Sequence, residues 1–317
     1  GLARYFHRLG CRVSGYDKTE TALTRQLATE GISIIYTDDF ALVDDVFKPA
    51  DGHTLIIYTP AVPRDLGLIS AFRQAGHELY KRSQVLGLIS ERRYTIAVAG
   101  THGKTTTSTL IAHILKDSGY DCSAFLGGIS VNYNTNVLFA NNQVMVVEAD
   151  EYDRSFLTLH PDIAVVTSAD ADHLDVYGDK EHLHESFQLF LSQLVDDGLS
   201  IVKAGLPFEG TIRYAVEEPA QAYATNIRIE RDTFYFDYVG PEGRMVDVHL
   251  GVPGRHNIEN AVAAITVAHR LGIADEAIAR ALSSFAGVKR RFEYIVKHAG
   301  HIYIDDYAHH PEELRAF

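Results

Sequence analysis

A glycine- and threonine-rich stretch, GTHGKTTT at residues 100–107, contains the residue types that bind phosphate. Glycines let backbone N–H groups approach phosphate oxygens, a lysine reaches the β- and γ-phosphates, and the hydroxyl that follows it can ligate Mg²⁺. These roles fall on Gly100, Gly103, Lys104 and Thr105. The common pattern G-x-x-x-x-G-K-[ST] also expects glycine where this chain has Val98. The stretch therefore predicts phosphate binding, with a glycine turn and a solvated lysine as the alternative.

Two acidic stretches follow apolar runs that have the composition of buried parallel strands. In EADEYDRSF, Glu148 ends the first run, and a carboxylate beside a phosphate loop suits Mg²⁺. In ADADHLDVYG, His173 follows the second run among Asp170, Asp172 and Asp175. Glu148 and His173 are therefore candidate metal ligands. The alternatives are an acidic loop in solvent and a structural histidine.

Further polar groups stand at the boundaries of predicted elements. In VPGRHNIENA, a predicted helix begins near Asn257, and this residue is either a ligand contact or only the N-cap. The candidate residues from these boundaries are His256, Asn257, Asn260, Arg290, Arg291, Asp305, Asp306, His309 and His310.

The order of the predicted elements favours an α/β fold. Helices and strands alternate through about the first 93 residues, which predicts a doubly wound, mostly parallel sheet. Because GLARYFHRLG reads as a helix, the first strand of that unit is expected to be missing. A second α/β region begins at YTIAVAG, so the glycine loop lies between a strand and a helix. The segment from residue 224 to residue 254 alternates with period two and turns at GPEG, which predicts a β-hairpin.

Composition excludes several classes of protein. The 317 residues carry 29 Lys and Arg against 42 Asp and Glu, and this net charge of −13 disfavours a nucleic-acid partner. Two cysteines give neither a disulfide framework nor a metal spacing, which fits a reducing cytoplasm. The sequence shows no signal peptide and no apolar run of membrane-spanning length, so no membrane insertion is expected.

Together, these motifs resemble the Mur ligase family, the ATP-dependent amide-bond ligases of peptidoglycan synthesis, over nearly the whole chain. The family spells its loop G-[ST]-x-G-K-[ST], with glycine at the position of Gly100 and not at that of Val98. Within the family, EADEYDRSFL, DADHLDVY, GRHNIENA, KRRFEY and DDYAHHP are most similar to members that attach L-alanine to UDP-N-acetylmuramate.

The resemblance implies three domains in chain order. A Rossmann-like UDP-binding domain covers residues 1–93, and a P-loop ATP-binding α/β domain with a small β-hairpin region covers residues 94–296. Residues 297–317 would begin a third, Rossmann-like domain that binds the amino acid and is largely absent here. We therefore expect these 317 residues alone to bind ATP–Mg²⁺ weakly and to show no ligation.

The resemblance also implies roles for individual residues. ATP and two Mg²⁺ ions would serve a reaction that passes through an acyl phosphate, with Lys104, Glu148 and His173 as catalytic residues and Thr105, Glu148 and His173 as metal ligands. The implied ATP-binding residues are Gly100, Thr101, His102, Gly103, Lys104, Thr105, Thr106, His256, Asn257, Asn260, Arg291 and Asp306. The implied substrate-binding residues are Ser14, Asp17, Thr59, His309 and His310.

Two other functions stay open at this point. One is a recycling ligase that attaches a ready-made tripeptide to the same nucleotide sugar and shares GTHGKTTT. The other is a nucleotide-binding module without ligase chemistry, although Glu148 and His173 together argue for two metal ions where simple nucleotide binding needs one. The resemblance further implies a bacterial cytoplasmic protein, and it leaves the oligomeric state undetermined.

Overall fold

The computed structural model describes residues 1–63, 65–170, 179–231, 233–298 and 300–308. The chain divides into two compact units, Gly1–Ile89 and Ser90–Phe317.

The first unit alternates short helices and short strands, as the sequence predicts. Its elements are α1 (Leu2–Arg8), β1 (Ser14–Tyr16), α2 (Ala22–Thr29), β2 (Ser33–Ile35), β3 (Ile56–Tyr58), α3 (Gly67–Gln74), β4 (Leu79–Lys81) and α4 (Arg82–Ser90). β1 pairs with β2, and β3 pairs with β4, both in parallel. Among the described residues these pairs form two separate ladders, where the sequence analysis expects one sheet.

In the second unit, the described strands form one ten-stranded sheet in the order β14-β13-β12-β11-β10-β9-β5-β8-β6-β7. The strands of this sheet are β5 (Tyr94–Ala99), β6 (Ser123–Ser130), β7 (Thr135–Leu138), β8 (Val144–Glu148), β9 (Ile163–Val166), β10 (Leu199–Lys203), β11 (Ile212–Val216), β12 (Ala222–Glu230), β13 (Thr233–Gly240) and β14 (Gly243–Leu250). A separate antiparallel hairpin consists of β15 (Glu293–His298) and β16 (His301–Asp305).

Helices of the second unit complete its core. They are α5 (Lys104–Asp117), α6 (Lys180–Leu191), α7 (Arg255–Arg270) and α8 (Asp275–Ser284). Apolar residues of α5, α7 and α8 pack with those of the sheet in one cluster. Within the described part of the chain, none of the helices is both long and apolar enough to cross a membrane.

The position of β5 explains where the site forms. β5 lies between β8 and β9 and runs parallel to both. The carboxyl ends of these three strands therefore meet at one edge of the sheet, which is where parallel α/β sheets bind ligands. The glycine loop follows β5, and Glu148 is the last residue of β8.

The predicted β-hairpin at GPEG is present, but it belongs to a larger arrangement. β13 and β14 form the hairpin, and β12 pairs antiparallel with β13. β12 also pairs in parallel with β11, so the predicted hairpin region forms one edge of the main sheet. Buried Ala222 and Ala224 at the start of β12 favour this pairing because they allow close packing against α7.

The two cysteines provide a test of this core. Cys122 is fully buried, and burial raises the pKa of its thiol to about 12, whereas Cys11 is exposed. Because the thiolate is the reactive form, iodoacetamide at about pH 8 should alkylate Cys11 in the native protein and Cys122 only after denaturation. Peptide mapping by mass spectrometry measures both sites. Equal alkylation rates in the native protein would contradict the burial of Cys122.

Candidate active site

The glycine loop connects β5 to α5 and has the geometry of a phosphate-binding loop. Val98 is fully buried inside β5, so the position where the common pattern has glycine belongs to the strand in this chain. Gly100 and Gly103 have φ angles of 144° and 80°. A Cβ at Gly100 would overlap Thr167 Oγ1, and one at Gly103 would lie 2.9 Å from Asn260 Oδ1. Both positions therefore require glycine.

Residues that follow β9 hold this loop in shape. The backbone N–H of His102 donates to Ser168 Oγ at 2.6 Å, and the N–H of Thr101 donates to the Ser168 carbonyl at 3.3 Å. Thr167 Oγ1 donates to the carbonyl of His102. Thr167 and Ser168 belong to no motif of the sequence, and the only sequence signal for them is their position directly after a buried apolar run.

Lys104, the first residue of α5, is held by the loop and by a buried acid. Its Nζ donates to the Gly100 carbonyl at 2.5 Å and lies 2.7 Å from Glu151 Oε2. The Glu151 side chain is 0% exposed, and burial raises the pKa of its carboxyl although the charge of Lys104 acts in the opposite direction. The sequence does not point to Glu151, because nothing in the acidic segment EADEYD marks this residue as buried.

Glu148 lies beside the first turn of α5. Its Oε1 accepts from Thr105 Oγ1 at 3.0 Å, and its Oε2 accepts from the Gly127 N–H at 2.8 Å. Burial raises the pKa of Glu148, while Lys104 and these two hydrogen bonds act to lower it. A Cβ at Gly127 would overlap the Glu148 carboxylate, so a glycine in β6 makes room for it.

Thr105 and Glu148 fit a Mg²⁺ site by their chemistry. A hydroxyl and a carboxylate lie within hydrogen-bond distance of each other next to a phosphate loop, and both are the hard oxygen ligands that Mg²⁺ prefers. Among the described residues no group of three or more His, Cys, Asp or Glu side chains is arranged to hold a metal ion. An ion at Thr105 and Glu148 would therefore take its other ligands from phosphate oxygens and water.

The start of α7 contacts the glycine loop. The N-cap of α7 is Gly254, so Asn257 is not the cap. Asn260 Oδ1 accepts from Thr107 Oγ1 at 3.0 Å, and Asn257 Nδ2 donates to the Pro253 carbonyl at 2.6 Å. Both asparagines are buried, and His256 precedes them at partial exposure. Their predicted role toward adenine stays a prediction.

Arg291 and Asp306 both lie at the base of the β15–β16 hairpin, on either side of it. Asp306 Oδ2 accepts from the Phe292 N–H at 2.6 Å. The Tyr307 ring lies under the guanidinium of Arg291, 5.7 Å from the ring centroid. The nearby N–H of Lys289 donates to the Ile129 carbonyl of β6, which ties this segment to the strand that holds Gly127. The predicted boundary between residues 296 and 297 falls inside β15, and the third domain stays a prediction.

The predicted UDP-site residues lie at strand ends of the first unit. Ser14 begins β1 and donates from Oγ to the Ser33 carbonyl at 3.1 Å. Asp17 follows β1 and accepts from the Thr19 N–H at 3.0 Å, and Thr59 follows β3. Asp17 and Thr59 are thus at carboxyl ends, where nucleotides bind in such folds. The other predicted residues His173, His309 and His310 lie outside the described residues.

Gly127→Ala tests the contact between β6 and Glu148. The added methyl group should displace the Glu148 carboxylate, weaken Mg²⁺-dependent nucleotide binding roughly tenfold and cost about 1–3 kcal/mol of stability. Isothermal titration with and without Mg²⁺ measures the first effect, and thermal unfolding measures the second. Gly205→Ala is the control for backbone strain alone: a Cβ there meets no atom within 4 Å, while the φ of +83° strains any side chain, so this variant should lose stability without a change in Mg²⁺ dependence. Unchanged Mg²⁺ dependence in Gly127→Ala would contradict the assignment.

Two family models match the chain. The model described as Mur ligase family, catalytic domain, matches residues 1–94, and the model described as Mur ligase middle domain matches residues 98–268.

Individual relatives agree with these matches. The UDP-N-acetylmuramate–L-alanine ligase of Parabacteroides distasonis is 48% identical over 322 residues, covering 99% of this chain and 70% of the relative. The crystal structure of UDP-N-acetylmuramate-alanine ligase from Thermotoga maritima has a TM-score of 0.86 at 30% identity, covering 99% of this chain and 73% of that one. The UDP-N-acetylmuramate:L-alanyl-gamma-D-glutamyl-meso-diaminopimelate ligase of Neisseria meningitides has a TM-score of 0.78 at 25% identity, covering 92% of this chain and 95% of that one.

Proposed function

Because this chain belongs to the Mur ligase family, we propose that it joins L-alanine to UDP-N-acetylmuramate and converts ATP to ADP and phosphate. The observation that carries the proposal is the loop at residues 100–103, which lies where three parallel strands end. It is followed at the start of α5 by Lys104 and by Thr105, whose hydroxyl donates to Glu148. The identity of 48% to an L-alanine-adding ligase supports the choice of amino acid.

The reaction has two covalent steps. A lactyl carboxylate oxygen of UDP-N-acetylmuramate forms a bond to the γ-phosphorus, and the bond from that phosphorus to ADP breaks. The amine of L-alanine then attacks the acyl carbon, loses a proton, and phosphate leaves with the former carboxylate oxygen. Since a carboxylate and a triphosphate repel each other, a fixed positive charge at Lys104 lowers the barrier to the first step.

Members of the family use ATP and Mg²⁺, and we propose two ions for this chain. Thr105 and Glu148 would hold the first, and His173 would hold the second. When bound, these ions supply positive charge that offsets the charge on the phosphate oxygens. The loop backbone and Lys104 supply the rest of the field, and Gly100 and Gly103 leave room for Thr167 and Asn260 to pack against the loop.

We assign the remaining contacts by the same proposal. His256, Asn257 and Asn260 would face adenine, and Arg291 and Asp306 would face the nucleotide. Ser14, Asp17 and Thr59 would contact the UDP group, and His309 and His310 would contact substrate. The reaction would take place in the bacterial cytoplasm.

A competition experiment tests the choice of substrate. The full-length protein is incubated with ATP, Mg²⁺, UDP-N-acetylmuramate, and equal concentrations of L-alanine and the L-alanyl-γ-D-glutamyl-diaminopimelate tripeptide. We expect mass spectrometry to detect the alanyl product in large excess. Predominant tripeptide product would instead favour the recycling ligase, and nucleotide binding without any product would favour a binding module.

A further inference from the structure

Glu151 stands out among the acidic residues near the loop because it is fully buried and touches Lys104. Its carboxylate lies 2.9 Å and 2.7 Å from Lys104 Nζ through its two oxygens. The Lys104 side chain is itself only 13% exposed. An ion pair this close and this shielded from water is a strong electrostatic contact.

The contact occupies the same group that phosphate binding needs. Lys104 Nζ has three protons to donate, and Gly100 and Glu151 already accept from it. A nucleotide whose β- and γ-phosphates reach Lys104 must therefore share the ammonium group with the Glu151 carboxylate or displace that carboxylate from it. Two anions on one ammonium group at this distance repel each other.

We infer that Glu151 is a positioning residue: it is an internal anion that holds Lys104 at the loop and competes with the nucleotide's β- and γ-phosphates for it. This inference rests on the proposed function, since it concerns how the same loop binds ATP. Competition by Glu151 would weaken the binding of ATP and of ADP alike. Such a uniform loss of affinity does not by itself slow the chemical step, because kcat depends on interactions that differ between the ground state and the transition state.

The two partners of this pair are not equivalent. If the charge of Glu151 is removed, Lys104 keeps the Gly100 carbonyl and is near the Thr101 carbonyl at 3.4 Å. A glutamine at position 151 also keeps an oxygen that can accept from Lys104. Glu151→Gln therefore removes the competing negative charge and keeps a hydrogen bond from Lys104 to the side chain at position 151.

The test compares two nucleotides that differ in the phosphates that Lys104 would touch. Titration calorimetry measures the affinity of the full-length protein and of Glu151→Gln for AMP-PNP and for AMP, each with Mg²⁺. We expect Glu151→Gln to bind AMP-PNP roughly tenfold more tightly than the wild type and to bind AMP equally well. Asp117→Asn is the matched control, because it also converts an acid to its amide but lies at the opposite end of α5.

Lys104→Ala provides the second comparison. If Glu151 acts through Lys104, adding Glu151→Gln to Lys104→Ala should leave the affinity for AMP-PNP unchanged. An equal gain in both backgrounds would overturn the inference, since Glu151 would then act as a simple nearby charge. Unchanged or weaker AMP-PNP binding in Glu151→Gln, with a melting temperature like that of the wild type, would also overturn it.

The result separates this inference from the proposed function. Wild-type protein that binds AMP-PNP while Glu151→Gln gains nothing contradicts the role of Glu151 and leaves the ligase proposal standing. Wild-type protein that binds no AMP-PNP contradicts both. If Glu151→Gln melts well below the wild type, Glu151→Asp serves as a second variant, because it restores the charge on a shorter side chain. Its affinity for AMP-PNP should equal that of the wild type. A different affinity would overturn the inference.

Discussion

Lys104→Ala should reduce ATP-dependent ligation by at least roughly 10³-fold, about 4 kcal/mol of transition-state stabilisation. Lys104 is the positive side chain at the loop between β5 and α5, and the transferring phosphoryl group would pass next to it. Release of ADP and of alanyl product, measured with the full-length protein, gives the size of the loss. Near wild-type ligation by this variant would contradict the assignment of the loop.

Lys104→Ala needs a control for folding, because the substitution breaks the buried ion pair between Lys104 and Glu151. Removal of Lys104 takes a close cationic partner away from the fully buried carboxylate of Glu151, which can cost roughly 3–5 kcal/mol of stability. The double variant Lys104→Ala/Glu151→Gln should recover much of that stability and none of the activity. Lys116→Ala, at the other end of α5, should retain ligation.

Glu148→Gln should lower turnover roughly 10²–10³-fold at a Mg²⁺ concentration that saturates the wild type. Glutamine can keep both existing contacts, with its oxygen toward the Gly127 N–H and its amide toward Thr105 Oγ1, so the fold should persist. It lacks the negative charge that a Mg²⁺ ligand at this position supplies. Turnover measured across a series of Mg²⁺ concentrations should show a higher requirement for the ion.

A suitable control is again Asp117→Asn, which should leave the Mg²⁺ dependence unchanged. If Glu148→Gln had the Mg²⁺ dependence and the turnover of the wild type, Glu148 would not be a metal ligand.

Much of the fold could be predicted because its signals are local. Gly100 and Gly103 stand between an apolar run and a helical pattern, and this predicts the observed position of the glycine loop between β5 and α5. The hairpin at GPEG was likewise correct, since period-two alternation and a turn are short-range features. The pairing of β12 with β11 was not predicted, because it depends on which distant strand lies beside it.

The sequence points to some residues that the structure places beside the glycine loop, but not to the residues that hold them in position. Glu148 could be selected because it ends an apolar run, whereas Glu151 occurs in the same acidic segment with no sign that it is buried. Thr167 and Ser168 have residue types common in any loop, and only the structure shows that they hold His102. The sequence does not point to Gly127 for a similar reason. Glycine is needed there because the Glu148 carboxylate at the end of β8 lies against this position of β6.

The most direct test of the account follows an oxygen atom through the reaction. UDP-N-acetylmuramate labelled with oxygen-18 at both oxygens of its lactyl carboxylate is incubated with the full-length protein, ATP, Mg²⁺ and L-alanine. An acyl phosphate requires one carboxylate oxygen to leave with phosphate, so we predict one oxygen-18 atom in each inorganic phosphate and one in the amide product. Alanyl product accompanied by unlabelled phosphate, or no alanyl product at all, would contradict the account.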